Sequence, residues 1–262
     1  MSPHRSTNNH SRVVEWRCTE LLQQYAVDCP GGRPVHQAVL VQHAAANYDG
    51  QPENFAKAFA SAIFLGGPVP IFYSIQREVL QLLRSYGMRA NSIVLDVGAG
   101  CLRNARPLLE LLDTGNYFGI EPNTTMLSAG LQYFITPELA ARKKPRFSLN
   151  GRFDFGAFGK KRFDFVFARS IWSHTSLQQI RTFLHSFSLH SHRHSVLLTS
   201  WVQGKRSNTA SDWVGISHKS TTSGIVYYMV QDLRREAASF GLVAHMIRPK
   251  ERQFISTGQK WL

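Results

Sequence analysis

The chain has 262 residues, enough for one large α/β domain or a domain with a helical cap, and its 43% hydrophobic content and mean hydropathy of −0.21 do not suggest a membrane protein. No run approaches the ~20 apolar residues a bilayer requires. Three irregularly spaced cysteines, Cys18, Cys29 and Cys101, argue against a disulfide framework or a CxxC metal site and fit a reducing cytoplasm. The net charge of +13, from 30 Lys and Arg against 17 Asp and Glu, favours anionic partners. The basic residues cluster only briefly, at 142–146, 160–162 and 248–252, so solubility is the first reading of this charge and nucleic acid the second.

The N-terminal twelve residues lack the apolar core of a signal peptide and read as a disordered start. The first 90 residues then read mainly as helix. Val14, Cys18, Leu21, Leu22 and Tyr25 recur at helical spacing before "CPGGRP" breaks the chain. Phe55, Phe59 and Ile63 mark a second helix, stopped by "GGPVP". Ile75, Val79, Leu82, Leu83 and Tyr86 mark a third. These helices form an expected cap, residues 1–90, whose 65–72 loop could border a pocket.

From Ser92 the pattern changes to strands alternating with helices. "SIVLDV" is followed by a helix over 102–112, "NYFGIE", a helix around 124–134, "PRFSLN", "FDFVFA", a helix over 175–188 and "SVLLTSW". After a Ser/Thr/Gly-rich loop, "QDLRREAASFG" reads as helix, with "LVAHMI" and "QFISTGQKWL" as arms of an edge hairpin. Strands alternating with helices imply right-handed crossovers and a mostly parallel sheet, with ligands at the carboxyl ends of its strands.

Four such ends carry polar residues. Asp96 precedes a turn containing Gly98 and Gly100, an arrangement that aims backbone N–H groups at a ligand. Glu121 closes "YFGIE", where a carboxylate can accept from both hydroxyls of a ribose. Asp154, with Phe155 beside it, suits an adenine, the acid taking the exocyclic amine and the ring stacking. "ARSIWSHTS" follows the fourth strand. There is no Gly-Lys-Ser/Thr for an NTPase phosphate loop. Arg103, with Leu102 before it, stands where a dinucleotide fingerprint needs its third glycine; a pyrophosphate needs that close backbone approach and the sulfonium link of S-adenosylmethionine does not, which favours S-adenosylmethionine over NAD.

Together, "VLDVGAGCLRNARPLLELL", "NYFGIEPN" and "FDFVFARSIWSHTSLQQI" resemble the core of the class I S-adenosylmethionine-dependent methyltransferases, in particular a bacterial-type small-molecule subgroup. The resemblance spans about residues 92–201. It implies a Rossmann-like seven-stranded α/β sheet with helices on both faces, an antiparallel edge hairpin and a methyltransferase domain over 91–262. It further implies that Asp96, Gly98 and Gly100 line the methionine part of S-adenosyl-L-methionine and that Glu121 holds the ribose. Pro122 and Asn123 would flank the adenine, Asp154 and Phe155 would read it, and Ala168, Arg169 and Ser170 would form the floor beneath the sulfonium. Asn104-Ala105 and "LHSHRHS" depart from the subgroup's pattern.

An alcohol acceptor needs a base, and His174, just past the fourth strand, is the candidate; the alternative is a capping or packing role for the helix after it. Trp172 walls the substrate pocket or is a core aromatic. Arg103 meets the cofactor carboxylate or an anionic substrate, or is an exposed helical arginine. His190, His192 and His194 alternate without a local acid or cysteine, so no metal is expected. The expected reaction is O-methylation of a small-molecule or sugar-containing metabolite, with RNA methylation or a non-catalytic binding role as alternatives.

Overall fold

A computed structural model of the chain describes residues 72–205, 226–247 and 259–261. The two helices expected around 14–25 and 55–63, the 65–72 loop save its last residue and the loop from 206 to 224 lie outside them.

The third expected helix is α1 (Phe72–Ser85). Its apolar stripe of Val79, Leu82 and Leu83 is buried in one cluster with Val94, Leu108 and Leu109, so α1 packs on the sheet itself. The chain continues through β1 (Val94–Val97), α2 (Ala105–Leu111), β2 (Tyr117–Ile120), α3 (Thr124–Tyr133), α4 (Pro137–Lys143) and β3 (Arg146–Ser148). It then forms β4 (Phe165–Ala168), α5 (Leu177–Leu189), β5 (Val196–Gln203), β6 (Tyr227–Tyr228), α6 (Val230–Ser239) and β7 (Gln259–Trp261). Helix α4 was not expected from periodicity, which seven residues barely display. Local chemistry makes it: Thr136 accepts from the Leu139 N–H, Pro137 opens the first turn, and left-handed Lys144 ends it.

Six strands pair in parallel in the order β3-β2-β1-β4-β5-β6. Alternate residues of each central strand enter opposite layers. Val94, Tyr117, Phe165 and Phe167 join the core under α1 to α4, whereas Leu95, Val97, Phe118, Ile120 and Val166 join the core under α5 and α6. Helices therefore cover both faces, which is why β1, β2 and β4 are buried at every position. The chain runs outward from β1 to β2 and β3, then crosses back to β4. This leaves a crevice at the carboxyl ends of β1 and β4, the switch point of the sheet.

The C-terminal edge differs from the expected hairpin. Residues 242–246 are not a strand, and Ile247 makes a single isolated bridge. Leu242, Ala244 and Met246 pack on the core while Val243 is exposed, so the alternation in "LVAHMI" records burial of an extended segment. Alternation alone does not choose a ladder partner. The other arm is a strand: β7 runs antiparallel to β5, with Ser200 opposite Trp261 and Val202 opposite Gln259.

Candidate functional site

The turn after β1 is stitched to the end of β2. Gly98 and Ala99 both donate to the Ile120 carbonyl, at 2.8 and 3.0 Å. Gly98 has φ +77°, and a Cβ there would lie 2.1 Å from Cδ1 of Ile171, so the residue after Ser170 packs directly on the turn only because Gly98 has no side chain. Gly100 follows with φ +57° and Leu102 with φ +60°. Leu102 is fully buried, and its left-handed backbone costs about 1–2 kcal/mol that a glycine would not.

Glu121 binds this turn from below. Its Oε2 accepts from the Gly100 N–H and its Oε1 from the Asn123 N–H, both at 2.8 Å. Burial pushes its pKa up to about 7, against the pull of those two donors. Each oxygen keeps a further lone pair for a hydroxyl. Asp96, 1% exposed, accepts from the Tyr117 hydroxyl at 3.0 Å. Burial pushes it up to about 7 as well; Tyr117 and Arg103 oppose the shift and Glu121 adds to it. Asn123 caps α3 by accepting from the Met126 N–H, and Pro122 beside it is exposed.

At the end of β4, Ala168 is buried and Arg169 nearly so. Arg169 lies 4.0 Å from the Glu78 carboxylate of α1 and donates to the Ser170 hydroxyl at 3.3 Å. Burial, and then the charge of Arg103, bring its pKa down to about 10. Ser170 holds φ +60° and donates its N–H to the Ser200 hydroxyl at 2.8 Å. Arg103 is buried rather than an exposed helical arginine; burial lowers its pKa, while the carboxylates of Asp96 and Glu78 support its charge. The Cys101 thiol in the same turn is pushed up to about 12 by burial, so it is no nucleophile.

Compared by sequence, the chain matches no family model and no curated protein. Compared as a structure, it is similar to magnesium protoporphyrin IX methyltransferase from Synechocystis PCC 6803 with bound S-adenosylhomocysteine (SAH), at TM-score 0.51 and 16% identity over 72% of this chain and 80% of that one. It is also similar to the DhpI–SAH complex, at TM-score 0.52 and 15% identity over 85% and 94% of the two chains. A third neighbour is the glycopeptide N-methyltransferase MtfA complexed with sinefungin, at TM-score 0.51 and 15% identity over 71% and 91%. This is the class I methyltransferase fold.

Within the methyltransferase fold, the remaining expected residues part company. Asp154 is exposed and caps the 3-10 turn Phe155–Phe158 by accepting from the Gly156 N–H at 2.8 Å. Phe155 is a correction: it is 0% exposed, edge-on to Phe163, Phe183 and His190, and offers no face on which a base could stack. Trp172 is likewise core, fully buried and edge-on to Phe183, which excludes its reading as a pocket wall open to substrate. His174 is half-buried at the end of the 3-10 turn Trp172–His174. It does not cap α5, because Ser176 and Gln179 do so reciprocally, each side chain accepting from the other's N–H. Of the other histidines, His190 meets the Lys161 carbonyl and His192 lies 2.7 Å from Asp164, at the opposite end of the sheet.

Sequence reasoning missed Glu78, Tyr117 and Ile171. Tyr117 and Asp96 lie on one strand pair, with Gly119 opposite Asp96 in register. A tyrosine two residues before that glycine is the one local signal that could have revealed the contact.

Proposed function

We propose that the protein transfers a methyl group from S-adenosylmethionine to an oxygen atom of a small-molecule acceptor. One observation carries this reading: a buried carboxylate, Glu121, closes β2 and is tied to the Gly98–Gly100 turn through the Gly100 N–H. The residues present fit the cofactor. The turn leaves no Cβ at Gly98 and Gly100, Glu121 retains a lone pair on each oxygen, and Asp96 is a buried acid suited to the cationic amine. Neighbours bearing SAH and sinefungin support the same assignment.

The bound cofactor supplies an electrophilic methyl group on a sulfonium. Asp96, Gly98, Gly100 and Arg103 hold its methionine part and Glu121 its ribose. Pro122 and Asn123 flank the adenine, Asp154 takes the exocyclic amine, and Ala168, Arg169 and Ser170 line the floor. Alignment of acceptor and methyl group is the main contribution, worth up to about 7–11 kcal/mol when geometry is ideal. His174 accepts the acceptor's proton, a role worth about 10²–10⁴ in rate. The N-terminal helical part of the chain forms the cap, β7 completes a seven-stranded sheet beside β5, and the protein works in the cytoplasm.

Incubation with [methyl-³H]S-adenosylmethionine and a fractionated cell extract tests this. Label should enter a low-molecular-weight product, and His174→Gln should slow that transfer at least a hundredfold. Label recovered in RNA would replace the small-molecule reading with the nucleic-acid one.

A further inference from the structure

A cavity of about 730 Å³ lies beside the amino half of β5, within the size range of small-molecule sites. Asp96, Gly98, Gly100 and Glu121 do not line it, so it is separate from the glycine turn. Its walls come from α5, α6, residues 196–199 of β5 and the extended segment 240–247. Val196, Leu197, Phe240, Leu242 and Ile247 on these walls are only half-buried, which leaves apolar surface for a ligand to cover. Tyr86 and Val243, also in the lining, are 46% and 83% exposed.

The charged residues of the lining are all basic. Arg162, Arg193, His192 and His245 belong to it, and among the described residues no aspartate or glutamate does. The two arginines stand on neighbouring segments: the Phe163 N–H donates to the His190 carbonyl at 2.9 Å, and the Ser195 hydroxyl donates to the Phe163 carbonyl at 2.6 Å. Both are exposed, and among the described residues neither forms an ion pair. Arg193 donates its Nε to His194 at 2.7 Å, which leaves its two terminal nitrogens to donate elsewhere. Asp164, the acid nearby, is engaged by His192 and the Ile93 N–H. His192 and Arg193 come from "LHSHRHS", a turn that methyl transfer does not use.

An apolar cavity with a cationic border complements a ligand with an apolar body and an anionic head, and arginine's planar fork matches a carboxylate in pairs. We infer that this cavity is a second binding site, for a small amphipathic carboxylate. The ligand's acyl chain or aromatic ring lies against Leu184, Phe187 and Leu242, and its head meets Arg162 and Arg193. The inference goes beyond the methyltransferase reading and stands or falls without it.

The test is calorimetric titration of the full chain at constant ionic strength. Octanoate and 2-naphthoate are compared with 1-octanol and 2-naphthylmethanol, which lack the charge, and with acetate, which lacks the apolar body. At least one of the two larger anions should bind about tenfold or more tighter than both its neutral counterpart and acetate, the effect of a charged hydrogen bond. The tighter of the two tells an acyl ligand from an aromatic one. Arg162→Gln/Arg193→Gln should erase the preference over the neutral compound, and each single variant should lose part of it. Anions that bind no tighter than their neutral counterparts, or no tighter than acetate, overturn the inference. So does a preference undiminished in the double variant, which would put the anion at another place on the protein. If the double variant does not fold, the two single variants decide.

Discussion

At the carboxyl end of the sheet, Asp96, Glu121, Arg103 and Arg169 are all less than a tenth exposed; at the amino end, the His192–Asp164 contact leaves about a third of each side chain in water, 33% and 35%. The amino-end pair closes a turn. Asp164 also accepts from the Ile93 N–H at 2.7 Å, so it joins the start of β4 to the start of β1. Hydrated pairs of this kind contribute about 0–1 kcal/mol. The carboxyl-end acids have lost most of their hydration, which is why burial pushes both to about 7. Backbone strain is distributed the same way. Among the described residues, left-handed Leu102, Phe153 and Ser170 follow β1, β3 and β4, and Lys144 marks a helix end. Strain and desolvated charge at one end, with ordinary contacts at the other, is how a fold holds a site at a cost to its stability.

Gly98→Val should have the largest effect. It places a side chain 2.1 Å from Ile171 at a positive φ, so it should abolish SAH binding and lower stability by about 3 kcal/mol or more. Combining it with Ile171→Ala should restore part of the melting temperature and none of the φ penalty. Full recovery would show that the turn is not strained.

The second effect is a pH dependence. Folded Asp96 and Glu121 keep protons that unfolded carboxylates release near pH 4. The ligand-free protein should therefore lose stability as pH rises from about 4 to about 7, by a few kcal/mol in order of magnitude. SAH affinity should rise over the same window as both carboxylates ionise. Denaturant unfolding from pH 4 to 8 measures the first and calorimetry the second. A flat stability profile would mean that the acids are hydrated and the contrast between the two ends is smaller than drawn. Tyr117→Phe removes a donor that favours ionised Asp96. It should cost about 1–2 kcal/mol and move the binding midpoint to higher pH.

His192→Ala should do least, within about 1 kcal/mol and with SAH affinity changed less than twofold. A large effect there would erase the distinction between the ends.

Much of this was legible in the sequence because it is local. "SIVLDVGAG" contains a strand and its glycine turn within nine residues, and Glu121 stands directly at the end of a buried run. Position after a strand also marked Arg169 and Ser170. What was not legible depends on contacts between distant residues. An aromatic beside an exposed Asp154 looks the same whether it stacks on a base or fills a core, and only burial against Phe163 and Phe183 distinguishes them for Phe155. The Glu78–Arg169 pair spans helix and strand end, and the left-handed Leu102 contradicts its own propensity; hydrophobic period reports neither. "LVAHMI" showed the right alternation, but its hydrogen-bond partner lay beyond what alternation specifies.

The most direct test of the ribose carboxylate is calorimetric titration of SAH into the wild-type protein and Glu121→Ala, with melting curves for both. Saturable wild-type binding is expected, weakened about 10–150-fold in the variant, the equivalent of the ~1.5–3 kcal/mol of a hydrogen bond to a charged group. A folded wild-type protein that binds no SAH, or a folded Glu121→Ala that binds it equally well, would contradict the account.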